Sequence, residues 1–529
     1  MPSTAKRLPE GETMTPQPMK PKTAVHDPTT FDPVAVIREL AQDSPDAAAL
    51  TAAGRTVTYA QLFERVLRVA NGLTSCGVEE GDRVGYIGRN LPEFFEVLLA
   101  CARIGAVMAP FNWRLTASDI AELAIDAGVR VVVTDREFAT AAPPATFKLT
   151  IGFDYDLWRD QWPAIEPDRA PHPSDHFIQF YTSGTTGLPK GVVVRNRNIG
   201  YLAQTARGWQ MHPGANVAVA MPLFHMGGSA WALVALFAGA HCVLFSEFNP
   251  LALLDSIERD QISTILVAPA MLQMMLDTPG ADKRDYSSLA LIAYGAAPIT
   301  GPLLRRALSV FEAPLMQLFG LTETTGCIVQ LEPEEHHDHL LASVGKALPW
   351  VDIEIRDPIT QLTLSAGQFG EIWVRSAQCA EEYWRRPDAT AELRPGDGTW
   401  LRTGDAGHLD EEGYLFITDR IKDMIITGGE NVYPAEVEKV LAEHPAIADV
   451  AVIGTPDETW GEAVTAFVVV RDGYSLAEDE LIEWARSQIA GFRRPRRVQF
   501  IEQLPRNPSG KVLKYEIRRP YWEGQGRRI

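Results

Sequence analysis

Residues 181–191 read Tyr-Thr-Ser-Gly-Thr-Thr-Gly-Leu-Pro-Lys-Gly, and this stretch decides the interpretation of the fold. An apolar run at 176–180 precedes it and another at 192–194 follows, so the pattern predicts a loop between two strands. Glycines allow backbone N–H groups to surround phosphate oxygens, hydroxyl groups add donors, and Lys190 adds positive charge. The spacing is not that of a Walker A loop. A solvated loop is the ordinary interpretation of such a cluster, but the complete string favours phosphate binding.

Short apolar runs alternate with helical patterns on both sides of this loop, as at 83–87, 93–104 and 107–111. This alternation predicts βαβ units and largely parallel sheets. It continues to about Asp419, after which the chain restarts with a smaller α+β unit. The predicted organisation is a flexible N-terminal extension (1–30), a large domain (31–419), a hinge (420–425) and a small C-terminal lid domain (426–529).

The composition describes an ordinary globular protein. The chain has 529 residues, 46% of them hydrophobic, and a formal net charge of −19. A fibrous role is excluded, and the acidic balance argues against nucleic-acid binding, which needs dense Lys/Arg surfaces. The five cysteines are scattered without a C-x-x-C pair, which favours a reducing cytoplasm.

One stretch has the length of a membrane span. Residues 226–245 contain no Asp, Glu, Lys or Arg. However, Gly239-Ala240-His241 interrupts the stretch, so we predict a core helix followed by a buried strand. The sequence therefore predicts no transmembrane segment and leaves peripheral membrane contact open.

Six further motifs occur along the chain: Pro222-Leu-Phe-His225-Met-Gly-Gly, Tyr294-Gly-Ala-Ala-Pro298, Phe319-Gly-Leu-Thr-Glu323, Trp400-Leu-Arg-Thr-Gly-Asp405, Asp419-Arg-Ile-Lys-Asp-Met-Ile425 with Gly428-Gly-Glu-Asn431, and Pro508-Ser-Gly-Lys511. Together with the loop, they resemble the adenylate-forming (AMP-binding) superfamily of acyl-CoA and aryl-CoA synthetases, firefly luciferases and peptide-synthetase adenylation domains. The resemblance covers nearly the whole chain. It implies an α/β fold with a large N-terminal domain of βαβ-type sheets and a β-barrel-like subdomain, followed by a small mobile C-terminal α+β domain.

The resemblance also implies which residues bind the nucleotide. The loop would hold the β- and γ-phosphates, small residues with Phe319 would enclose adenine, and Asp405 with Arg420 would contact the ribose. The full nucleotide-binding set is Thr182, Ser183, Gly184, Thr185, Thr186, Gly187, Lys190, Gly295, Ala296, Ala297, Phe319, Gly320, Thr322, Asp405, Ile417, Arg420 and Lys511.

Forming an acyl adenylate requires a carboxylate to attack the α-phosphate of ATP while pyrophosphate leaves, so negative charge must be neutralised. By resemblance, Glu323 would help to hold Mg²⁺, with hydroxyl contacts from Thr182 and Thr322. The family's lysine that matches Lys511 bridges the acyl carboxylate and the α-phosphate. We therefore expect Lys511 to be the principal catalytic residue, with Thr182 and Glu323 completing the catalytic set.

The same resemblance implies that the small domain rotates about Lys422 between adenylation and thioester formation. In the second orientation, Gly428 and Gly429 would line the path of the CoA thiol. His225 would be a gate or a pocket wall rather than a general base. The remaining acyl-pocket positions are small or apolar: Met226, Gly227, Gly228, Gly326 and Cys327. None offers a charge, so the expected acid is hydrophobic.

The sequence therefore predicts a cytoplasmic, ATP-dependent acyl-CoA ligase of fatty acid metabolism with ATP, Mg²⁺ and CoA as cofactors and co-substrates. A medium-to-long-chain fatty acid is the first choice, and an aromatic acid of benzoate, coumarate or ferulate type is the alternative. A luciferase-like oxygenase and a non-catalytic nucleotide sensor are competing classes, and the intact Lys511 disfavours the sensor. Monomer and homodimer both stay open.

Three positions depart from the common pattern of the family. The chain has Arg195-Asn196 where many relatives have Ser/Thr-His, Glu382-Tyr-Trp384 in place of Gly-Tyr-Trp, and Phe492-Arg493 in place of Tyr-Lys. None of these changes removes a catalytic group.

Overall fold

Helices and strands alternate in the first part of the chain, as the apolar runs predict. The computed structural model describes residues 26–143, 147–182, 189–297, 299–428, 430–486, 488–506 and 512–523. Up to Arg195 the elements are α1 (Pro33–Asp43), β1 (Ala48–Ala52), β2 (Arg55–Thr58), α2 (Tyr59–Ser75), β3 (Arg83–Ile87), α3 (Pro92–Ile104), β4 (Val107–Pro110), α4 (Ala117–Ala127), β5 (Val129–Asp135), β6 (Phe147–Ile151), α5 (Tyr155–Asp160), β7 (His176–Thr182) and β8 (Lys190–Arg195).

Capping side chains fix where these helices begin. The Thr58 hydroxyl accepts a hydrogen bond from the Gln61 N–H, and the Gln61 side chain accepts one from the Thr58 N–H, so the pair forms a capping box at α2. At α1, the Asp32 carboxylate accepts from the Val34 and Ala35 N–H groups. These bonds satisfy backbone donors that a helix leaves unpaired at its first turn.

A six-stranded sheet carries the predicted phosphate loop. Its order is β6-β5-β3-β4-β7-β8, and its strands are parallel except for the antiparallel pair β7–β8. That pair sets Thr182 opposite Lys190. The two predicted strands that flank the phosphate motif are therefore confirmed, and residues 183–188 of the motif lie outside the described residues.

The middle of the chain builds a second, larger sheet. Its elements are α6 (Asn196–Ala203), β9 (Asn216–Val219), α7 (Met226–Phe237), β10 (His241–Leu244), α8 (Pro250–Arg259), β11 (Thr264–Val267), α9 (Pro269–Leu276), β12 (Leu291–Gly295), α10 (Gly301–Phe311), β13 (Leu315–Leu321), β14 (Gly326–Leu331) and β15 (Lys346–Ala347). The order is β15-β14-β13-β12-β11-β9-β10-β1-β2. The apolar stretch 226–245 contains a core helix and a strand, as predicted. Across the described ranges, no helix combines the length and apolarity of a bilayer crossing.

The buried helix α3 joins the two sheets. It contacts β4 and β7 of the six-stranded sheet and β1 of the larger one. Two of its carboxylates are buried, and cations offset them: Arg55 bonds Glu93, whereas Arg65 and Arg159 each lie 3.1 Å from Glu96. Buried charges are retained only when they are paired in this way.

An antiparallel sheet follows, in the order β16-β17-β18-β19. Its elements are β16 (Asp352–Arg356), β17 (Gly370–Arg375), α11 (Pro387–Leu393), β18 (Leu401–Leu409) and β19 (Leu415–Arg420). A bridge between Gly345 and Leu415 connects this sheet to the chain just before β15. This unit occupies the position of the predicted β-barrel-like subdomain.

The C-terminal part is a smaller α+β unit, as predicted. It contains β20 (Ile425–Thr427), β21 (Glu430–Val432), α12 (Pro434–Ala442), β22 (Ile447–Asp457), β23 (Gly461–Val470), α13 (Glu478–Arg486), β24 (Arg497–Phe500) and α14 (Lys514–Trp522). A 3-10 turn, Ile421–Asp423, connects β19 to β20. The predicted fold class is confirmed, and the domain boundaries and the hinge stay predictions.

Candidate active site

A single cavity of about 720 Å³ brings most of the predicted site residues together. It lies at the ends of β7, β12 and β13, the edge of the sheets where ligands of α/β proteins usually bind. The predicted residues that line it are Thr182, Lys190, His225, Met226, Gly227, Gly295, Ala296, Ala297, Phe319, Gly320, Thr322, Glu323, Gly326, Cys327, Arg420 and Lys422. Motifs far apart in the sequence thus share one space.

Tyr383 connects the predicted metal ligand to the predicted phosphate-binding lysine. Its hydroxyl donates to Oε1 of Glu323 at 2.8 Å, and the Lys190 ammonium lies 5.0 Å from the centre of its ring. Burial, and then the adjacent Glu323 carboxylate, raise the pKa of Tyr383, so the phenol keeps its proton and remains a donor. Tyr383 therefore orients the Glu323 carboxylate. Sequence reasoning assigned it no role.

Two departures from the family pattern contact each other near this tyrosine. The Arg195 guanidinium lies 3.2 Å from the Glu382 carboxylate and 3.0 Å from that of Glu381. Arg197 also bonds Glu381. The backbone N–H of Trp384 donates to the Gly191 carbonyl at 2.7 Å. The segment with Tyr383 is thus held along β8 by backbone hydrogen bonds and by the ion pairs of Arg195 and Arg197.

The buried Arg83 contacts the same segment through the ring of Trp384. The Arg83 guanidinium lies 3.2 Å from the Trp384 ring centre, and Arg385 lies 4.9 Å from that ring. Burial, and then the like charge of Arg385, lower the pKa of Arg83 to about 10, so Arg83 remains charged at neutral pH. Cation–π contacts of this kind fix the position of Trp384.

Asp405 and Arg420, the predicted ribose contacts, are cross-strand partners on β18 and β19. The Arg420 Nε lies 3.3 Å from the Asp405 carboxylate. Arg420 lines the cavity, whereas Asp405 is 6% exposed and is not part of the described lining. Ile417, on the same strand as Arg420, packs against the main core.

Glycines at the site serve backbone packing as well as space for a ligand. A Cβ atom at Gly295 would lie 2.2 Å from the Leu318 carbonyl oxygen, and one at Gly320 would lie 1.9 Å from the Gly326 carbonyl oxygen. Gly228 is absent from the described cavity lining, and its Cβ would lie 2.3 Å from the Pro222 carbonyl oxygen. These three glycines are required where backbones approach closely.

His225 lies at the start of α7 and lines the cavity. Its ring centre lies 4.5 Å from that of Phe224. The side chain is exposed to the cavity, and partial loss of water around the ring, followed by the charge of Arg114, lowers the pKa of His225, so the imidazole is neutral at pH 7. A neutral ring at this point supports the predicted role as a wall.

The predicted hinge and tunnel residues have clear local contacts. Lys422 lines the cavity, and its carbonyl accepts a hydrogen bond from Arg518 of α14 at 3.3 Å. Gly428 has φ +60°, and a Cβ there would lie 2.8 Å from the Trp460 ring. Packing against Trp460 is therefore one reason for glycine at 428.

Several predicted residues lie outside the described residues: Ser183, Gly184, Thr185, Thr186, Gly187, Gly429 and Lys511. Their roles stay predictions.

Two tryptophans that sequence reasoning missed line the apolar end of the cavity. Trp209 follows α6 and Trp231 lies on α7, and both are 2% exposed. Their rings stack with centres 5.3 Å apart. Apolar side chains surround this end: Met221, Met226, Ala230, Leu266, Leu318 and Cys327. Burial raises the pKa of Cys327 to about 12, so its thiol is uncharged.

A second missed pair lies on the β17–β18 side of the cavity. The Arg402 guanidinium forms an ion pair with the Glu371 carboxylate and donates two hydrogen bonds to its Oε2, from Nη2 at 2.8 Å and from Nε at 3.0 Å. The Trp373 indole N–H also donates to Glu371 at 3.2 Å. Because Glu371 is fully engaged, it shapes the cavity and offers no free charge. The sequence signal that could have placed Glu371 was the apolar run 372–374 that follows it, which is typical of a strand.

Comparison with known proteins agrees with this geometry. The family model described as "AMP-binding enzyme" matches residues 37–384, and "AMP-binding enzyme C-terminal domain" matches residues 436–511. A fatty acid–[acyl-carrier-protein] ligase, ScoC, of Streptomyces coeruleorubidus is 39% identical over 92% of the chain and 96% of its own length. A feruloyl-CoA synthase of an Amycolatopsis species is 37% identical over 91% of this chain and 97% of its own length. The crystal structure of ATP-bound MatB from Rhodopseudomonas palustris superposes with a TM-score of 0.84 at 30% identity, covering 93% of this chain and all (100%) of that one.

Proposed function

The chain belongs to the AMP-binding enzyme family and is an adenylate-forming acid–thiol ligase, and from that premise we propose that it activates a hydrophobic carboxylic acid, with a medium-to-long-chain fatty acid as first choice. The predictions of the superfamily and of the enzyme class are confirmed by the family match. The proposed reaction joins the acid to AMP with release of pyrophosphate and then transfers the acyl group to the thiol of CoA.

One observation carries the proposal: the cavity has a charged end and an uncharged apolar end. Thr182, Lys190 and Glu323 line the charged end, which suits the phosphates of ATP. Among the described residues, the side chains grouped around Trp209 and Trp231 (Met221, Met226, Ala230, Leu266, Leu318 and Cys327) carry no charge that would bind an ammonium group or a second carboxylate. A hydrophobic acid therefore fits with its carboxylate toward the charged end and its tail toward the tryptophans.

Each polar residue has a proposed task in adenylation. Lys190 binds the phosphates, and Asp405 accepts hydrogen bonds from the ribose hydroxyls while Arg420 holds its carboxylate. Lys511 binds the acyl carboxylate and the α-phosphate and stabilises the charge that moves between them. His225 stays neutral and forms a wall beside the acid.

The residues present fit a magnesium ion. Glu323, Thr182 and Thr322 line one cavity, and hard carboxylate and hydroxyl oxygens of this kind suit Mg²⁺. When bound, the ion would supply positive charge against the phosphate oxygens. Tyr383 holds the Glu323 carboxylate in place for this purpose.

An aromatic acid is the second candidate. The stacked pair of indole rings at the apolar end is the observation that favours it, because flat rings pack well on aromatic walls. The relative named a feruloyl-CoA synthase supports the same alternative.

CoA is the proposed acceptor, and the relative named an acyl-carrier-protein ligase makes a carrier-protein thiol the alternative. We propose a cytoplasmic location, supported by the five cysteines, which are all free thiols.

The test is a pyrophosphate-release assay with ATP and Mg²⁺ across straight-chain fatty acids and aromatic acids. Each acid is run without an acceptor, with CoA, and with a phosphopantetheinylated carrier protein, and the thioester is identified by mass spectrometry. We expect acyl-CoA from a hydrophobic acid. Absence of acid-dependent pyrophosphate release across the panel would contradict the proposed acid class, and an acyl-carrier product alone would contradict CoA as acceptor.

A further inference from the structure

The apolar end of the cavity is closed by two tryptophans, Trp209 and Trp231, that come from different elements. Both line the same cavity as Glu323, and both are almost fully buried. The two indole rings stack on each other at an interplanar angle of 28°. The cavity therefore ends on an aromatic wall.

Hydrogen bonds hold this wall in place. The Trp209 indole N–H donates to the Gln330 side chain at 3.2 Å, and the Trp231 indole N–H donates to the Ala218 carbonyl at 3.2 Å. Swinging either ring aside would leave a buried donor and a buried acceptor without partners, which is costly. The wall is thus fixed rather than a gate that thermal motion opens.

Ala230 and Gly326 lie close together in the cavity lining, next to the wall. Ala230 is on α7, and a Cβ atom at Gly326 would lie 3.4 Å from the Ala230 Cβ and 3.4 Å from Leu202. Gly326 has φ +88°, which disfavours any other residue at this position. A methyl group added at position 326 would therefore contact both α6 and α7.

We propose that Trp209 and Trp231 form the fixed end of the acid pocket and set the longest acyl group that the enzyme accepts. This inference rests on the proposed function. It narrows the acid to compact hydrophobic groups, a medium-length chain or a single aromatic ring, whose far end meets the indoles. A longer chain has no space beyond them, since tightly packed interiors do not yield to added methylenes.

The test compares kcat/KM for pyrophosphate release across saturated acids of increasing length, for the wild-type enzyme and for W209A and W231A. We expect the wild-type profile to fall steeply beyond a medium length. Each variant should shift the optimum to longer acids, with a gain of about fourfold in kcat/KM for each additional methylene that the enlarged pocket buries.

A filling variant and a matched control accompany these changes. Ala230→Val adds two methyl groups to the lining beside the wall without creating a void, so it should shift the optimum to shorter acids. W158A removes a tryptophan from α5 that packs against Tyr155 away from the cavity lining, so it should leave the length profile unchanged. Thermal unfolding checks that each variant folds. If W209A and W231A lose their fold, W209F, W231F and Ala230→Val still test the wall.

The possible results separate the inference from the proposed function. A wild-type enzyme that releases no pyrophosphate with any acid in the panel would overturn the proposed function. A wild-type enzyme that is active but uses long-chain acids as well as medium-chain acids would overturn only the wall. Folded variants with an unchanged length profile would overturn it as well.

Discussion

The two ends of the cavity are built in different ways. The charged end is assembled from contiguous motifs on strand ends, in which Thr182 and Lys190 face each other across a hairpin and Glu323 follows β13. The apolar end is assembled from single residues, Trp209 and Trp231, that meet only through packing of α6, α7 and β14. We therefore expect the charged end to determine the rate of adenylation and the apolar end to determine which acid is accepted.

Variants at the charged end and variants at the apolar end should therefore change activity in different ways. Adenylation uses the same phosphates and the same carboxylate for every acid, so a change at the charged end should lower activity by the same factor across the acid panel. A change at the apolar end should alter the ranking of acids.

Lys511→Ala should have the largest effect. The lost charge would no longer stabilise the α-phosphate as it is attacked, so we expect adenylation to fall about 10³-fold for every acid, while ATP binding changes little. Pyrophosphate release measures the first quantity and calorimetry with ATP the second. Lys439→Ala, an exposed lysine of the same unit on α12, is the matched control and should retain activity. Normal pyrophosphate release by Lys511→Ala would contradict the assigned role.

Glu323→Gln should follow. Because an amide is a weaker ligand than a carboxylate for a hard cation, we expect roughly a 10²-fold loss and a higher Mg²⁺ concentration for half-maximal rate. A magnesium titration of initial rates measures both. Glu334→Gln, at an exposed position, is the control. An unchanged magnesium dependence would remove Glu323 from the metal site.

Tyr383→Phe should have a smaller effect of the same kind. It removes one hydrogen bond to a charged group, worth about 1.5 kcal/mol, so we expect about a tenfold loss, again uniform across acids, with a rise in the magnesium requirement. Tyr414→Phe is a matched control, because the Tyr414 hydroxyl donates to Glu335 at 2.8 Å, also a tyrosine–glutamate bond. If Tyr383→Phe changed the ranking of acids instead, the two ends would be coupled.

The sequence predicted one end of the cavity far better than the other. Glu323 was identifiable because its neighbours 319–322 form a contiguous motif, and local backbone structure keeps such residues together. Trp209 and Trp231 lie in unrelated segments, and their stacking depends on tertiary packing that no local pattern records. Tyr383 was missed for the same reason, since its partner Glu323 is 60 residues away.

For the glycines, the sequence predicted the positions but not the physical reason for each one. Gly228 fits the family's pocket motif, yet its lack of a side chain is explained by the approach of the Pro222 carbonyl. Gly428 was predicted to line a tunnel, and it packs on Trp460. A glycine in a motif shows that a side chain is excluded, but only the structure shows what excludes it. The overall alternation of helices and strands, in contrast, was predictable because each element buries one apolar run.

The ion pair between Arg195 and Glu382 should give the smallest effect. Their side chains are 18% and 40% exposed, so solvent screens the pair, and a double-mutant cycle with R195M and E382Q should yield a coupling of about 1 kcal/mol or less in urea unfolding. The surface pair of Arg375 and Asp352, at 3.0 Å and 50% and 61% exposed, is the matched cycle and should give a value near zero. We expect activity to change less than twofold, because backbone bonds from β8 also hold the segment around Tyr383. A loss as large as that of Tyr383→Phe would instead show that this pair, found at two departures from the family pattern, orients the tyrosine.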